Sequence, residues 1–106
     1  PDSFYKLPTT NYDLPMRIQT LHPDPSTSTP TIDREKYDAI SVAIFAVLDD
    51  QGPLSFTEMT EEVAELLGTS FEGSIPWYVT VLKADLEARG TIRVDRSGKR
   101  QLIDRG

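Results

Sequence analysis

The chain has 106 residues, of which 38% are hydrophobic, and its formal net charge is −6. This length is typical of one domain with one hydrophobic core. The absence of cysteine excludes a disulfide scaffold, thiol catalysis and thiolate zinc sites, and the single histidine, His22, argues against an all-protein metal site.

The charge and hydropathy patterns bear on partners and location. No apolar run is long enough to span a bilayer and no apolar leader begins the sequence, so we expect a cytoplasmic protein without a membrane partner. The negative net charge argues against indiscriminate binding to nucleic acids. The charge is uneven, because residues 91–106 hold five basic and two acidic residues, a local charge of +3.

Residues 1–32 are predicted to form an extended arm and linker. They carry six of the eight prolines and the run PDPSTSTPT. The same segment contains apolar side chains in a number that a fully solvated segment rarely has, so we expect part of it to dock. These side chains are Phe4, Tyr5, Leu7, Tyr12, Leu14, Met16, Ile18 and Leu21.

The first helix is predicted from Asp33, as the N-cap, to about Leu48, and Gly52 and Pro53 end it. Ile32 and Tyr37 have the spacing of a hydrophobic staple. The core stripe follows the helical period and consists of Tyr37, Ile40, Ile44, Val47 and Leu48.

A short β-like segment, LSF, leads into the second helix. Ser55 and Glu58 have the spacing of a capping box, and Gly68 ends the helix after Leu67. Its predicted buried side consists of Met59, Val63, Leu66 and Leu67.

The third helix is predicted to begin after Ser74 as N-cap, to accept Pro76 in its first turn and to end before Gly90. Its core face consists of Ile75, Val79, Leu82 and Leu86. In the following run, TIRVDRSGKRQLID, apolar and polar residues alternate around the turn RSGK. This pattern predicts a β-hairpin with a basic tip.

The order of these elements is that of a winged helix-turn-helix domain. The ending VLKADLEARGTIRVDRSGKRQLI resembles the last helix and wing of that superfamily, in which a Leu four residues before a Gly is followed by an Ile, here Leu86, Gly90 and Ile92. The stretches TLHPDP, IDREKYDAI, LSFTEMTEEV and GSIPWYVTVLKADLEARG together resemble a small bacterial family of winged-helix proteins of unknown function, over roughly residues 20–103.

This resemblance implies an α+β fold, mostly α, with a winged-helix domain at residues 33–106 after the arm at residues 1–32. The fold would have three helices and a C-terminal β-hairpin as the wing. The small family contributes no functional residues, so only the superfamily's expectation of DNA binding and transcription regulation carries over.

The sequence shows no constellation for catalysis. No nucleophile with a base, no pair of carboxylates in a predicted cleft, no phosphate loop and no metal-ligand spacing is present. His22 lies in a proline-bounded loop, and Asp49 and Asp50 are explained by a helix end. We therefore expect a protein that is not an enzyme, without cofactor or metal, and no small-molecule ligand is evident.

Binding to double-stranded DNA is one functional hypothesis. Arg93, Arg96, Lys99 and Arg100 of the wing would contact phosphates, although basic turns are as often simply solvated. From the third helix, Thr80 and Lys83 would approach the groove beside Trp77. Asp85 and Glu87 are predicted on the two flanks of this helix, where they would face phosphate unfavourably.

The second hypothesis is a protein-interaction or dimerisation module without DNA binding. The outward face of the third helix is apolar, with Trp77, Val81, Ala84 and Ala88 where a base-reading helix would carry polar donors. An exposed apolar stripe of this kind usually makes a contact. The arm could cover it within one chain, or a second copy or another protein could pack against it.

Overall fold

The computed structural model describes residues 16–106 and shows an α+β fold that is mostly helical. Three helices and two antiparallel hairpins follow one another in the chain. The strands and helices are β1 (Arg17–Gln19), β2 (Thr31–Asp33), α1 (Arg34–Gln51), α2 (Phe56–Leu67), α3 (Ile75–Ala88), β3 (Ile92–Asp95) and β4 (Leu102–Arg105). The three predicted helices and the C-terminal hairpin are thus confirmed.

Helix α1 begins where the sequence predicts and extends to Gln51, past the predicted end. Asp33 occupies the N-cap position, but its side chain makes no capping hydrogen bond. The reason is that Asp33 also ends β2, where its carboxylate lies 3.5 Å from the guanidinium of Arg17. The predicted core stripe faces inward, with Ile40 and Ile44 fully buried.

Helix α2 begins with the predicted capping box. The backbone N–H of Glu58 donates to Ser55 Oγ at 3.2 Å, and the Ser55 backbone N–H donates to Glu58 Oε1 at 3.0 Å. Met59 and Val63 are buried, whereas Leu66 is 57% exposed, so its predicted burial is wrong. Leu66 lies in the last turn of α2 and lines an open cleft against α1.

Helix α3 packs one side against the core. Ser74 Oγ accepts from the Trp77 backbone N–H at 3.3 Å, as an N-cap does. Gly90, just past the helix, has φ of +82°, a conformation that glycine adopts without strain. Val79, Leu82 and Leu86 point into the core, as predicted.

The C-terminal hairpin pairs β3 with β4 in the register Ile92↔Arg105 and Val94↔Ile103. Ile103 also exchanges two backbone hydrogen bonds with Leu54, of 2.9 and 2.7 Å. Of the segment LSF, which was predicted to be β-like, Leu54 alone forms a bridge to this hairpin, whereas Ser55 is the N-cap of α2 and Phe56 its first residue. Ile92 and Ile103 are buried and fix the hairpin to the helices.

The described part of the predicted arm forms an N-terminal hairpin. Strands β1 and β2 pair antiparallel, and residues 20–30 between them form what we call the hairpin loop. Ile32 of β2 is only 3% exposed and belongs to the core, and the predicted boundary between residues 32 and 33 lies within β2. The predicted docking of Phe4, Tyr5, Leu7, Tyr12 and Leu14 lies outside the described residues.

Candidate functional site

Two basic residues of the C-terminal hairpin, which is the predicted wing, are held by contacts within the fold. Arg93 Nε donates to the backbone carbonyl of Arg105 at 3.2 Å. The guanidinium of Arg96 forms two hydrogen bonds, of 2.7 and 3.0 Å, with the carboxylate of Glu87 on α3. These hydrogen bonds are the main reason that the pKa of Glu87 lies below its usual value. Part of the wing's positive charge is therefore offset by α3.

The tip of the wing carries the two remaining predicted phosphate contacts. Lys99 and Arg100 are exposed and form no ion pair within residues 16–106. Glu58 at the start of α2 has a lowered pKa, chiefly because of its hydrogen bonds with Ser55, and the charge of Arg100 adds to this effect. The tip is thus accessible to an anion, although an acidic side chain lies near it.

The two predicted groove contacts of α3 lie side by side on the helix surface. Thr80 Oγ1 donates to the Pro76 carbonyl at 2.8 Å, within the helix. Lys83 is half-buried, and its Nζ donates to Gln101 Oε1 at 3.3 Å. Burial lowers the pKa of Lys83, the charge of Arg96 adds to the lowering, and the charge of Glu87 opposes it.

The predicted interaction face of α3 is partly open and partly enclosed. Trp77 is 46% exposed, and its ring packs edge-on against Tyr78 with 4.8 Å between ring centroids. Ala88 is exposed at the far end of the helix, while Val81 and Ala84 in the middle are half-buried. The four residues therefore do not form one continuous exposed stripe.

The middle of the outward face of α3 lines a groove of about 400 Å³, whose walls partly bury it. Thr80, Val81, Lys83 and Ala84 of α3 form its floor. The hairpin loop forms one wall. The other wall consists of the first residue of α2 and the residue directly before β4. The wall residues are Thr20, Leu21, His22, Ser28, Thr29 and Pro30 from the loop, and Phe56 and Gln101 opposite.

A buried polar cluster attaches the hairpin loop to α3. Asp85 is fully buried, and its carboxylate accepts from the Leu21 backbone N–H at 2.9 Å, from Arg89 Nε at 2.9 Å and from the Tyr37 hydroxyl. Arg89 also donates to the Gln19 carbonyl at 3.4 Å. A buried carboxylate needs such partners, since an unpaired one would be strongly destabilising.

The predicted position of Asp85 on a solvated flank of α3 is therefore wrong. The carboxylate faces α1 and the hairpin loop and would not meet phosphate. Its spacing of four residues from Arg89 is the sequence signal for the ion pair. No signal in the sequence indicates Leu21, Phe56 or Gln101 as groove residues, since they come from three separate segments.

The described residues contain neither a cluster of metal ligands nor a helix suited to span a membrane. Within residues 16–106, no three His, Asp or Glu side chains come together as ligands for a metal ion. In the same part of the chain, none of the helices combines the length and hydrophobicity that a membrane span requires.

Comparison with known proteins gives one match. Residues 17–102 match the model of DUF6958, which is described as a family of unknown function. No curated protein and no solved structure matches the chain significantly. The matched segment contains the N-terminal hairpin, all three helices, β3, the first residue of β4 and all the residues that line the groove.

Proposed function

We propose that this chain, which belongs to DUF6958, a family of unknown function, is a winged-helix protein-interaction module that binds a segment of a partner protein along α3. The observation that carries this proposal is the groove, whose floor is the apolar middle of α3. Its volume lies in the range of pockets that enclose side chains of a ligand. A polypeptide would place side chains in the groove and cover Trp77 beside it.

The assignment to the winged-helix superfamily rests on the order of the elements. Three helices are followed by a hairpin, and the bridge between Leu54 and Ile103 gives that hairpin a third, very short strand. In this arrangement α3 is the helix that would read DNA. Here the hairpin loop lies along the middle of α3. It therefore restricts the insertion of this helix into the major groove of DNA.

Charge also favours a protein partner over DNA on this face. Lys83 is the single lysine or arginine among the residues described as lining the groove, and Arg96 beside it is paired with Glu87. A DNA-reading surface usually gains its affinity from several phosphate contacts. An apolar face with an exposed tryptophan is more typical of the centre of a protein interface.

A selection from a displayed library of random peptides, about twelve residues long, tests this proposal on the full chain. Peptides that bind the unmodified chain should lose binding to Ala84→Arg, because the long side chain would fill the groove. Ala46→Arg places the same side chain on the exposed surface of α1 and should bind the peptides unchanged. Circular dichroism must show that both variants are folded. If the peptides bind Ala84→Arg equally well, the groove is not their site and the proposal is wrong.

Self-association is tested by sedimentation of the unmodified chain, of Ala84→Arg and of a further variant, Trp77→Glu. If sedimentation shows a dimer that dissociates in Ala84→Arg and in Trp77→Glu, the partner segment belongs to a second copy of this chain. A monomer at all concentrations leaves a different protein as the partner.

A second candidate function is DNA binding by the wing, which the exposure of Lys99 and Arg100 beside Ser97 and Gly98 favours. Fluorescence anisotropy with a labelled duplex at low salt tests it. Binding that weakens steeply with salt, and in a variant with Lys99→Gln and Arg100→Gln, would support it. Absence of binding at low salt would exclude it.

A further inference from the structure

The charge of the groove differs from that of the whole chain. The chain has 17 acidic residues and a net charge of −6, yet none of the groove residues that the structure describes is acidic. The lining instead contains one lysine and the only histidine, together with neutral polar and apolar side chains. In an acidic protein, such a lining favours a ligand with negative charge by local complementarity.

Lys83 is the centre of this charge. Its ammonium group is half-buried, and the hydrogen bond that the structure shows for it is to a neutral acceptor, Gln101 Oε1 at 3.3 Å. Glu87 lies one turn later on α3, but both of its carboxylate oxygens accept from Arg96. The cation of Lys83 is therefore only partly compensated, and burial lowers its pKa.

Further donors line the same groove. His22 Nδ1 accepts from the Asp24 backbone N–H at 2.9 Å, so the neutral imidazole carries its hydrogen on Nε2. Gln101 accepts from Lys83 through Oε1, which leaves its amide NH₂ as a donor group. Three side chains on three separate segments thus offer N–H groups, and a carboxylate accepts several such hydrogen bonds at once.

The remaining lining combines hydroxyl side chains with apolar ones. Its apolar part consists of Val81 and Ala84 of α3, Leu21 and Pro30 of the hairpin loop, and Phe56 of α2. Apolar walls favour burial of a large hydrophobic side chain, and they also strengthen a charge-assisted hydrogen bond by excluding water. An acidic group alone or an apolar group alone would use only one part of this lining.

We propose that the segment bound in the groove carries an aspartate or glutamate next to a large apolar residue, with its carboxylate on Lys83 and its apolar side chain between Val81 and Phe56. The inference rests on the proposed protein-interaction function and names the chemistry of the partner. Lys83 would then determine specificity, because a lysine in this lining discriminates an acid from its amide.

Peptides selected on the full chain test this chemistry. The selected sequences should share an acidic residue beside Leu, Ile, Phe or Trp. Changing that residue to Asn or Gln should weaken binding roughly tenfold, as expected for a charge-assisted hydrogen bond at a partly buried site. In Lys83→Met, the acidic peptide and its amide should bind equally. In Lys36→Met, which removes another half-buried lysine outside the groove, the tenfold difference should persist.

Three outcomes separate the two proposals. If selected peptides require the groove but lack acidic residues, this inference is wrong and the interaction function stands. If the preference for the acid persists in Lys83→Met, another residue recognises the carboxylate and this inference is again wrong. If no peptide depends on the groove, as judged with Ala84→Arg, both proposals fail together.

Discussion

Replacing Tyr37 with Phe removes one hydroxyl group from the cluster that attaches the hairpin loop to α3. The hydroxyl donates to Asp85 Oδ2, and Asp85 is fully buried. The aromatic ring, which packs against the core and lies beneath the Arg89 guanidinium at 5.8 Å, is retained in the variant. The substitution therefore isolates one hydrogen bond to a buried carboxylate.

The expected loss of stability follows from the partners that remain. A hydrogen bond to a charged group contributes about 1.5–3 kcal/mol. In Tyr37→Phe, the Asp85 carboxylate still accepts from Arg89 Nε at 2.9 Å and from the Leu21 backbone N–H at 2.9 Å. Because the carboxylate keeps these two donors, we expect the lower part of the range, about 2 kcal/mol in the free energy of unfolding at neutral pH.

The same hydroxyl should make this loss depend on pH. Burial, followed by the hydrogen bond to Asp85 and its negative charge, raises the pKa of Tyr37 from its ordinary value of 10.0 to about 12. Because the pKa of Tyr37 is raised in the folded state, this group stabilises the fold below pH 10. The stabilisation is lost as the pH rises toward 12. At about pH 11 the wild type should lose at most about 1.4 kcal/mol through this group, and solvent screening reduces this to about 1 kcal/mol.

Urea unfolding followed by far-ultraviolet circular dichroism measures both effects. The stability difference between wild type and Tyr37→Phe should fall from about 2 kcal/mol at pH 7 to about 1 kcal/mol at pH 11. Tyr78→Phe is the matched control, because its ring contacts with Phe71 and Trp77 are retained. A difference below about 0.5 kcal/mol at pH 7, or one that is the same at both pH values, would refute the reasoning.

Two further predictions concern single hydrogen-bonding groups. Ser55→Ala removes the cap of α2 and should lower the free energy of unfolding by about 1 kcal/mol, whereas Thr57→Ala on the exposed side should change it by less than about 0.5 kcal/mol. Glu87→Gln removes the ion pair with Arg96 and should cost about 0.5–1 kcal/mol in urea unfolding at pH 7. Because the pKa of Glu87 is lowered in the fold, this stabilisation is present above pH 4.5 and is lost as the pH falls further. A cost that is equal at pH 7 and at about pH 3 would contradict the assignment.

Local sequence signals predicted the helices and the C-terminal hairpin correctly. Ser55 with Glu58, Ser74 and Gly90 mark helix ends through bonds or backbone angles that involve only neighbouring residues, so their outcome does not depend on tertiary packing. Asp33 shows the limit of this reasoning. It lies at the predicted N-cap, but pairing across the N-terminal hairpin directs its carboxylate toward Arg17.

Helical periodicity predicted the buried residues of α1 and α3 better than those of α2. Most of the predicted core positions of α1 and α3 are buried, while Tyr37 and Ile75 in the first turns of the two helices are partly buried against the core. Leu66 has the correct period but lines the open cleft between α2 and α1, and it is 57% exposed. Asp85 shows the converse, because a charged residue is buried where α1 and the hairpin loop supply donors to it. Periodicity describes a face of a helix and does not tell which part of that face is covered.

The sequence by itself determined the order of the elements, the helix ends, the main core stripes and the apolar character of the outward face of α3. Only the tertiary structure decided that the hairpin loop lies along that face and that Arg96 is paired with Glu87. It also decided that Lys83 lines a groove in which none of the described lining residues is acidic. The physical reason is the range of the interactions. Caps and helical stripes depend on residues within one or two turns, whereas the groove joins segments near residues 20, 56, 83 and 101 that meet only in the folded chain.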